Sequence, residues 1–69
     1  MKLSARNKLA GKIVAIKKGP VNSQVEVDIG GGTIVTSMIT TDAVEELDLA
    51  EGRAVRVVIK ASQVMLATD

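Results

Sequence analysis

The sequence predicts an all-β domain with one short helix, folded as an OB-like five-stranded barrel. Val and Ile together number 16 of the 69 residues, and several segments alternate apolar and polar residues with the period of two that half-buried strands show. One short helical segment lies between these strands, an order typical of the OB fold. Because 69 residues hold a single hydrophobic core, we expect residues 1–69 to form one domain.

The first half of the chain contains three predicted strands. Residues 12–17 form the first strand, which ends at a turn signal in residues 18–20, where the proline cannot donate to a strand ladder. Residues 24–29 alternate most clearly, with three β-branched side chains on one face. The glycines at 30–32 reach positive φ without a Cβ clash, so we expect residues 33–39 to return as the hairpin partner.

The second half of the chain is predicted to contain one helix and two strands. Residues 41–47 form the helix, in which Asp42 caps the first turn and Glu45 follows three positions later. A helix of about two turns is marginal alone, so we expect it to pack over one end of the barrel. Residues 53–60 form the next strand, with its valines alternating inward, and residues 63–66 form a last short strand.

The N-terminal segment is amphipathic when extended. Alternate residues from Lys2 to Lys8 are polar or charged and share one face, while Leu3, Ala5 and Leu9 share the other. The ends of small domains are usually loose unless another element holds them. We therefore expect this arm to pair with a neighbouring subunit, which would also supplement a core without disulfide, metal or aromatic residue.

Several residue types are missing from the chain, and their absence excludes whole classes of function. There is no Cys or His, so disulfides, the usual ligands of zinc, copper and haem, and the usual general base near neutral pH are lacking. We expect neither an enzyme nor an organic cofactor. Without Phe, Tyr or Trp the chain lacks the rings on which bases stack, and its net charge of +1 is far from the basic excess of a nucleic-acid binder.

The hydropathy of the chain predicts its location. No apolar run has the length of a signal peptide core or of a membrane span. We therefore expect a cytoplasmic protein with neither a membrane nor a nucleic acid as its partner.

Three short segments collect hydrogen-bond donors, and each also has a plain structural explanation. Ser4 and Arg6 are two residues apart, so a strand would point their side chains the same way; the alternative is a solvated edge strand. Thr40 and Thr41 precede the helix, whose free N–H groups attract anions; the alternative is simple capping. Residues 60–62 end a strand with a lysine, which is usually solvated.

These segments form a pattern that resembles the molbindins, the small stand-alone molybdate- and tungstate-binding proteins built from one Mop domain. The similarity begins with Ser-Ala-Arg-Asn at residues 4–7 and the alternating strand after it. It continues through residues 35–40, 46–52 and 58–61 at the family's spacings, so that it covers nearly the whole chain.

The resemblance implies an OB-like barrel that exchanges its N-terminal strand with a neighbour and assembles as a homohexamer, a trimer of dimers. It also implies oxyanion sites at subunit interfaces. Carried over by position, the expected oxyanion-binding residues are Ser4, Ala5, Arg6, Thr40, Lys60, Ala61 and Ser62. A second kind of site near the threefold axis is implied around Lys18, Gly19, Pro20, Val21 and Asn22. Ala43 departs from the pattern, because relatives often carry serine there, and any hydroxyl contact at that position is lost.

The chemistry of the implied ligand agrees with the donor-rich segments. Molybdate and tungstate are unprotonated dianions near neutral pH, so a site that suits them offers donors only and disfavours hydrogen phosphate, whose proton would lack an acceptor. The sequence thus predicts intracellular binding and storage of molybdate or tungstate. Two alternatives stay open: an OB-type oligonucleotide-binding protein, and a structural or regulatory module that acts through a partner.

Overall fold

The computed structural model describes residues 2–69 and contains one curled antiparallel sheet that forms half of a barrel. Its elements in chain order are β1 (Asn7–Lys18), β2 (Asn22–Asp28), β3 (Ile34–Thr40), α1 (Thr41–Glu46), β4 (Ala54–Ile59) and a 3-10 turn (Ala61–Gln63). The strands lie in the order β3-β2-β1-β4. The predicted class, an OB-like fold that is all-β with one short helix, is confirmed. Met1, the first residue of the predicted domain, lies outside the described residues.

β1 is much longer than the sequence pattern predicts. It begins at Asn7 rather than at residue 12, because its first half pairs with β4 from Asn7 to Lys12 while its second half pairs with β2 from Lys12 to Lys18. The residues that complete its first half, Ala54–Ile59, lie at the other end of the chain. The alternation of apolar and polar residues therefore predicted only the second half of β1, whose partner β2 follows directly in the sequence.

A bulge and a glycine allow β1 to curl across the sheet. The register with β2 shifts between Ile13 and Ala15, so that Ile13 and Ile16 both pack in the core although they are three positions apart. A Cβ added to Gly11 would lie 2.5 Å from Val27 Cγ1 and 2.9 Å from the backbone oxygen of Asp28. β1 and β2 thus approach too closely for a side chain at residue 11.

The predicted β2–β3 hairpin forms and turns through three glycines. Gly30, Gly31 and Gly32 have φ values of 104°, 63° and 80°, in the region that disfavours a Cβ. The N–H of Gly30 donates to Asp28 Oδ1 at 2.7 Å, and that of Ile29 donates to the carbonyl oxygen of Thr33 at 3.0 Å. The turn therefore has its own hydrogen bonds.

The core is aliphatic and lies on the concave face of the sheet. Ile13, Val25, Val27 and Val44 are buried, and six further aliphatic side chains pack around them partly exposed. Val44 belongs to α1, so the helix packs over one end of the half-barrel as predicted. None of the helices in residues 2–69 is long and apolar enough to span a membrane.

The helix begins at a different cap from the predicted one. Thr40, not Asp42, is the N-cap: its backbone is extended, with φ −66° and ψ 148°, and its Oγ1 accepts a hydrogen bond from the N–H of Ala43 at 3.1 Å. β3 stays extended up to Thr40, so the change to helical geometry occurs there. Asp42 lies in the first turn, where its charge favours the helix dipole.

The fifth predicted strand does not form in the single chain, and the sheet has four strands. Gln63 ends the 3-10 turn, and residues 64–69 leave it without a strand partner among residues 2–69. Their apolar composition is that of a strand, but a strand forms only where a neighbour accepts its hydrogen bonds. That prediction was wrong for one chain taken alone.

Replacing Gly11 tests the close approach of β1 and β2. We expect Gly11→Ala to lower the free energy of unfolding by about 1–3 kcal/mol, because the new methyl group meets backbone oxygen that cannot move away cheaply. Urea unfolding followed by circular dichroism measures the change. Lys8→Ala, an exposed position on the same strand, serves as the control and should change stability by about 0.5 kcal/mol or less. Equal effects of the two substitutions would contradict the packing assigned to Gly11.

Candidate anion site

Two of the predicted donor segments lie side by side where β1 starts and β4 ends. Asn7, the first residue of β1, lies opposite Ile59, the last residue of β4. Residues 4–6 therefore enter the sheet beside the point where residues 60–62 leave it. We call these two segments together the basic corner. They are more than fifty positions apart in sequence, and only the pairing of β1 with β4 brings them together.

Asn7 holds the basic corner together, a role that the sequence did not reveal. Its side-chain Nδ2 donates to the carbonyl oxygen of Ile59 at 3.1 Å, in addition to the strand ladder. The next residues outward on the two chain segments are Arg6 and Lys60. Asn7 belongs to the Ser-Ala-Arg-Asn motif, but the sequence analysis did not predict it as a site residue. Its side-chain amide, directly after the predicted ligand Arg6, was the feature that could have indicated this role.

The cations of the basic corner are exposed and have no carboxylate partner. Among residues 2–69 the one ion pair joins Arg53 Nη1 to Asp48 Oδ2 at 3.3 Å and includes neither Arg6 nor Lys60. Like charges at neighbouring strand positions repel one another. An anion placed between Arg6 and Lys60 would remove that repulsion and accept charge-assisted hydrogen bonds from both.

Thr40 lies at the other end of the sheet. It is the last residue of β3 and pairs with Asn22, the first residue of β2. Residues 18–22, the second predicted site, connect β1 to β2 at this same end. We call Thr40 together with residues 18–22 the threonine corner. Within one chain, the predicted site residues therefore form two separate groups and not a single group.

The threonine corner is held by a hydrogen-bond chain through Thr41. Thr41 Oγ1 donates to the carbonyl oxygen of Gly19 at 2.7 Å, so the buried Ser23 hydroxyl, 2.8 Å away, must donate to Thr41. The backbone N–H of Thr41 donates to the carbonyl oxygen of Val21 at 2.8 Å. Thr41 is thus satisfied within the chain and fixes the β1–β2 connection against the start of α1.

Thr40 keeps one donor for an external group. Its Oγ1 accepts from the N–H of Ala43, which leaves the hydroxyl proton of this exposed residue free to point outward. The amides of Thr41 and Ala43 are already bonded to Val21 and Thr40 respectively. The helix start therefore offers mainly a hydroxyl, and at Ala43 neither a hydroxyl nor a free amide.

The basic corner and the threonine corner lie at opposite ends of β1, whose 12 residues at about 3.3 Å each have a contour of roughly 36–40 Å. Hydrogen-bond donors must lie within about 3.2 Å of an anion's oxygen atoms. No group of three or more Asp and Glu in the described part of the chain is arranged to hold a bare metal ion.

Comparison with known proteins places this chain among proteins named for molybdenum. Residues 3–66 match the model of the TOBE domain family. The chain is 46% identical over 69 residues, the whole of both sequences, to a probable molybdenum-pterin-binding protein of Haemophilus influenzae. It also superposes on the structure of a molybdate-binding protein from Sporomusa ovata with a TM-score of 0.92 and 37% identity, covering 99% of this chain and 100% of that one.

A further similar structure was determined with the oxyanion in place. It is the molybdate-bound form of the cytoplasmic molybdate-binding protein ModG, with a TM-score of 0.89 and 48% identity over 94% of this chain and 46% of ModG. The resemblance that the motifs indicated is therefore confirmed over nearly the full length. The chain belongs to the TOBE domain family and, within it, to the molbindins, the stand-alone molybdenum-pterin-binding proteins.

Proposed function

We propose that this protein binds molybdate at seams between copies of its own chain and stores the anion. The observation that carries the proposal is the distribution of donors. Two cations that have no carboxylate partner among residues 2–69 lie at one end of β1, and the free hydroxyl of Thr40 lies at the other end, together with Lys18. A second copy that brings its threonine corner to the basic corner of the first would complete the site. The molybdate-binding relatives support this choice of ligand.

Each part of the proposed site has a separate task. Arg6 and Lys60 neutralise the dianion, and Asn7 keeps them close by tying the start of β1 to the end of β4. Thr40 of the second copy adds a neutral donor. The remaining hydroxyl and backbone donors come from Ser4, Ala5, Ala61 and Ser62.

The donor set also explains which anions are accepted. With no acceptor facing inward, the site disfavours hydrogen phosphate, whose proton would be unpaired. Tungstate has the charge and shape of molybdate, so the proposal includes it as a ligand. Sulfate is a smaller dianion, and its exclusion depends on the spacing of donors across the seam.

The proposed assembly is a homohexamer, a trimer of dimers. We do not propose the exchange of the N-terminal strand that the resemblance implies, because the first half of β1 pairs with β4 of its own chain. Residues 18–22 would form the second kind of site near the threefold axis. We place the protein in the cytoplasm and assign it no catalytic role and no organic cofactor; the name of ModG as a cytoplasmic binding protein supports the location. The names of the relatives favour molybdate over an oligonucleotide, and a regulatory role through a partner would use the same anion site.

Isothermal titration tests the ligand. We expect molybdate to bind at micromolar concentration with sulfate present in excess, because the proposed seam spaces its donors for the larger dianion. Molybdate should also raise the unfolding temperature of the assembled form, since a ligand that binds only that form stabilises it. If molybdate gave no heat of binding and did not raise the unfolding temperature, the proposed function would be contradicted.

The two cations of the basic corner are tested by removing each in turn. Arg6→Ala and Lys60→Ala should each weaken molybdate binding roughly 10- to 100-fold, because each removes a charge-assisted hydrogen bond. Arg56→Ala and Lys12→Ala are the controls: each removes one positive charge from an exposed position of β4 or β1 outside the basic corner. We expect each control to leave the affinity for molybdate within about twofold of the original value. If all four variants lose affinity equally, general electrostatics rather than a defined site holds the anion.

A mixing experiment tests whether the site is shared between chains. In an assembly made only of Arg6→Ala chains, every seam lacks the arginine. In an assembly made only of Thr40→Val chains, every seam lacks the threonine hydroxyl. In a hybrid reassembled from equal amounts, about one quarter of the seams would combine an intact basic corner with an intact threonine corner. We expect those seams to restore tight binding, measured as the number of molybdate ions bound per chain. No restoration would show that both corners act within one chain.

A further inference from the structure

One polar side chain is buried beside the aliphatic core. Among residues 2–69 the buried polar residue is Ser23, with 2% of its surface exposed. The next two inward-facing residues of β2 are Val25 and Val27, which belong to the core. A buried hydroxyl group lowers stability unless it is hydrogen-bonded, and an apolar side chain of similar size would suit the core better. Packing therefore does not explain the hydroxyl at position 23.

The partner of Ser23 is Thr41, which makes three hydrogen bonds to the β1–β2 connection and the start of β2. Its Oγ1 accepts from the Ser23 hydroxyl at 2.8 Å and donates to the carbonyl oxygen of Gly19 at 2.7 Å. Its backbone N–H donates to the carbonyl oxygen of Val21 at 2.8 Å. The connection itself is tight, because a Cβ added to Gly19 would lie 2.5 Å from the carbonyl oxygen of Asn22. The connection is thus fixed to a single point at Thr41.

The adjacent residues Thr40 and Thr41 have different tasks at the threonine corner. Thr40 is exposed and keeps its hydroxyl proton free, whereas Thr41 is half-buried and uses both its hydroxyl and its N–H within the chain. Thr40 also pairs with Asn22 across β3 and β2. The bonds of Thr41 therefore fix the position of the Thr40 hydroxyl relative to residues 18–22.

We infer that Thr41 and Ser23 are positioning residues that determine which dianion the site prefers. The inference rests on the proposed function, in which Thr40 donates to molybdate. Sulfate is smaller, so donors spaced for molybdate must move inward to hold sulfate with hydrogen bonds of ordinary length. A shift of Thr40 relative to residues 18–22 would distort the bonds of Thr41. A rigid threonine corner therefore favours the larger dianion.

The ratio of the affinities for molybdate and sulfate distinguishes this role from a merely structural one. Thr41 acts through Thr40, since its own donors are already in use. A general loss of stability would lower the affinity for both dianions by the same factor and leave their ratio unchanged. A loosened corner would lower the ratio, because its donors could then close around sulfate.

Isothermal titration of molybdate at increasing sulfate concentrations measures this ratio. Thr41→Val removes the hydroxyl and keeps the branched shape, and we expect the ratio to fall about three- to tenfold, the effect of one hydrogen bond. Thr41→Ser retains the hydroxyl and should keep the ratio within about twofold of the original value. Thr36→Val, at an exposed threonine of β3, is the matched control and should also keep it within about twofold.

A double variant keeps the experiment decisive if Thr41→Val does not fold. Thr41→Val alone leaves the buried hydroxyl of Ser23 without a partner, which destabilises the chain. Ser23→Ala combined with Thr41→Val removes both hydroxyls, so we expect it to fold, as checked by circular dichroism, and to lose selectivity to the same extent. An unchanged ratio in the folded double variant would overturn the inference. An equal loss in Thr41→Ser or Thr36→Val would also overturn it.

Hydrogen exchange without any anion tests the rigidity of the corner itself. The amide at position 41 donates to Val21 and reports on the corner, whereas the amide of Gly52 donates to the carbonyl oxygen of Ile13 at 2.8 Å and reports on the rest of the sheet. In the double variant we expect exchange at position 41 to be at least tenfold faster and exchange at Gly52 to stay within about twofold. Equal acceleration at both amides, or acceleration at neither, would overturn the inference.

The outcomes separate this inference from the proposed function. An original protein that binds no molybdate would end the proposed function, and the selectivity role with it. Molybdate binding with a ratio that the double variant preserves would end only this inference.

Discussion

The double pairing of β1 is the constraint on which the rest of this molecule depends. One strand of 12 residues bonds to β4 with its first half and to β2 with its second, and a bulge together with the close approach at Gly11 lets it curve between the two. The start of β1 thereby lies beside the end of β4, and the end of β1 forms part of the threonine corner. Without that curvature the core residues Ile13 and Ile16 could not share one concave face.

The same geometry decides how an anion can be bound. Arg6 and Lys60 lie at one end of β1, and the free hydroxyl of Thr40 lies with Lys18 at the other, so in the proposed site each end supplies part of the donor set. A dianion at the proposed seam would remove the repulsion between Arg6 and Lys60 and would link ligand binding to assembly, because in that arrangement only the assembled form would hold a complete site. This is a mode of binding in which the ligand contributes to the stability of the oligomer.

The core of the single chain is small because the chain is short and has no aromatic side chains. Four short strands and one helix bury Ile13, Val25, Val27 and Val44 fully, and many other aliphatic side chains remain exposed. A sequence of 69 residues without cysteine or aromatic side chains has few means of its own to complete a core. The exposed apolar side chains of Val64, Met65 and Leu66 are one result of this shortage.

Local sequence patterns predicted the strands whose hydrogen-bonding partners lie close along the chain. They did not predict pairings between strands that lie far apart in the sequence. Alternation and the three glycines predicted β2, β3 and their turn, and alternation predicted the inward face of β4. The motif around Arg6 and the lysine at residue 60 were also recognisable from the sequence. The sequence by itself thus determined the β class and the strand faces, and it indicated which residues to expect as donors. Only the tertiary structure decided where β1 begins, that residues 63–66 have no strand partner among residues 2–69, and that the expected donors lie in two groups at opposite ends of β1. These features depend on hydrogen bonds between segments far apart in sequence, such as that from Asn7 to Ile59, and local periodicity carries no information about such pairings.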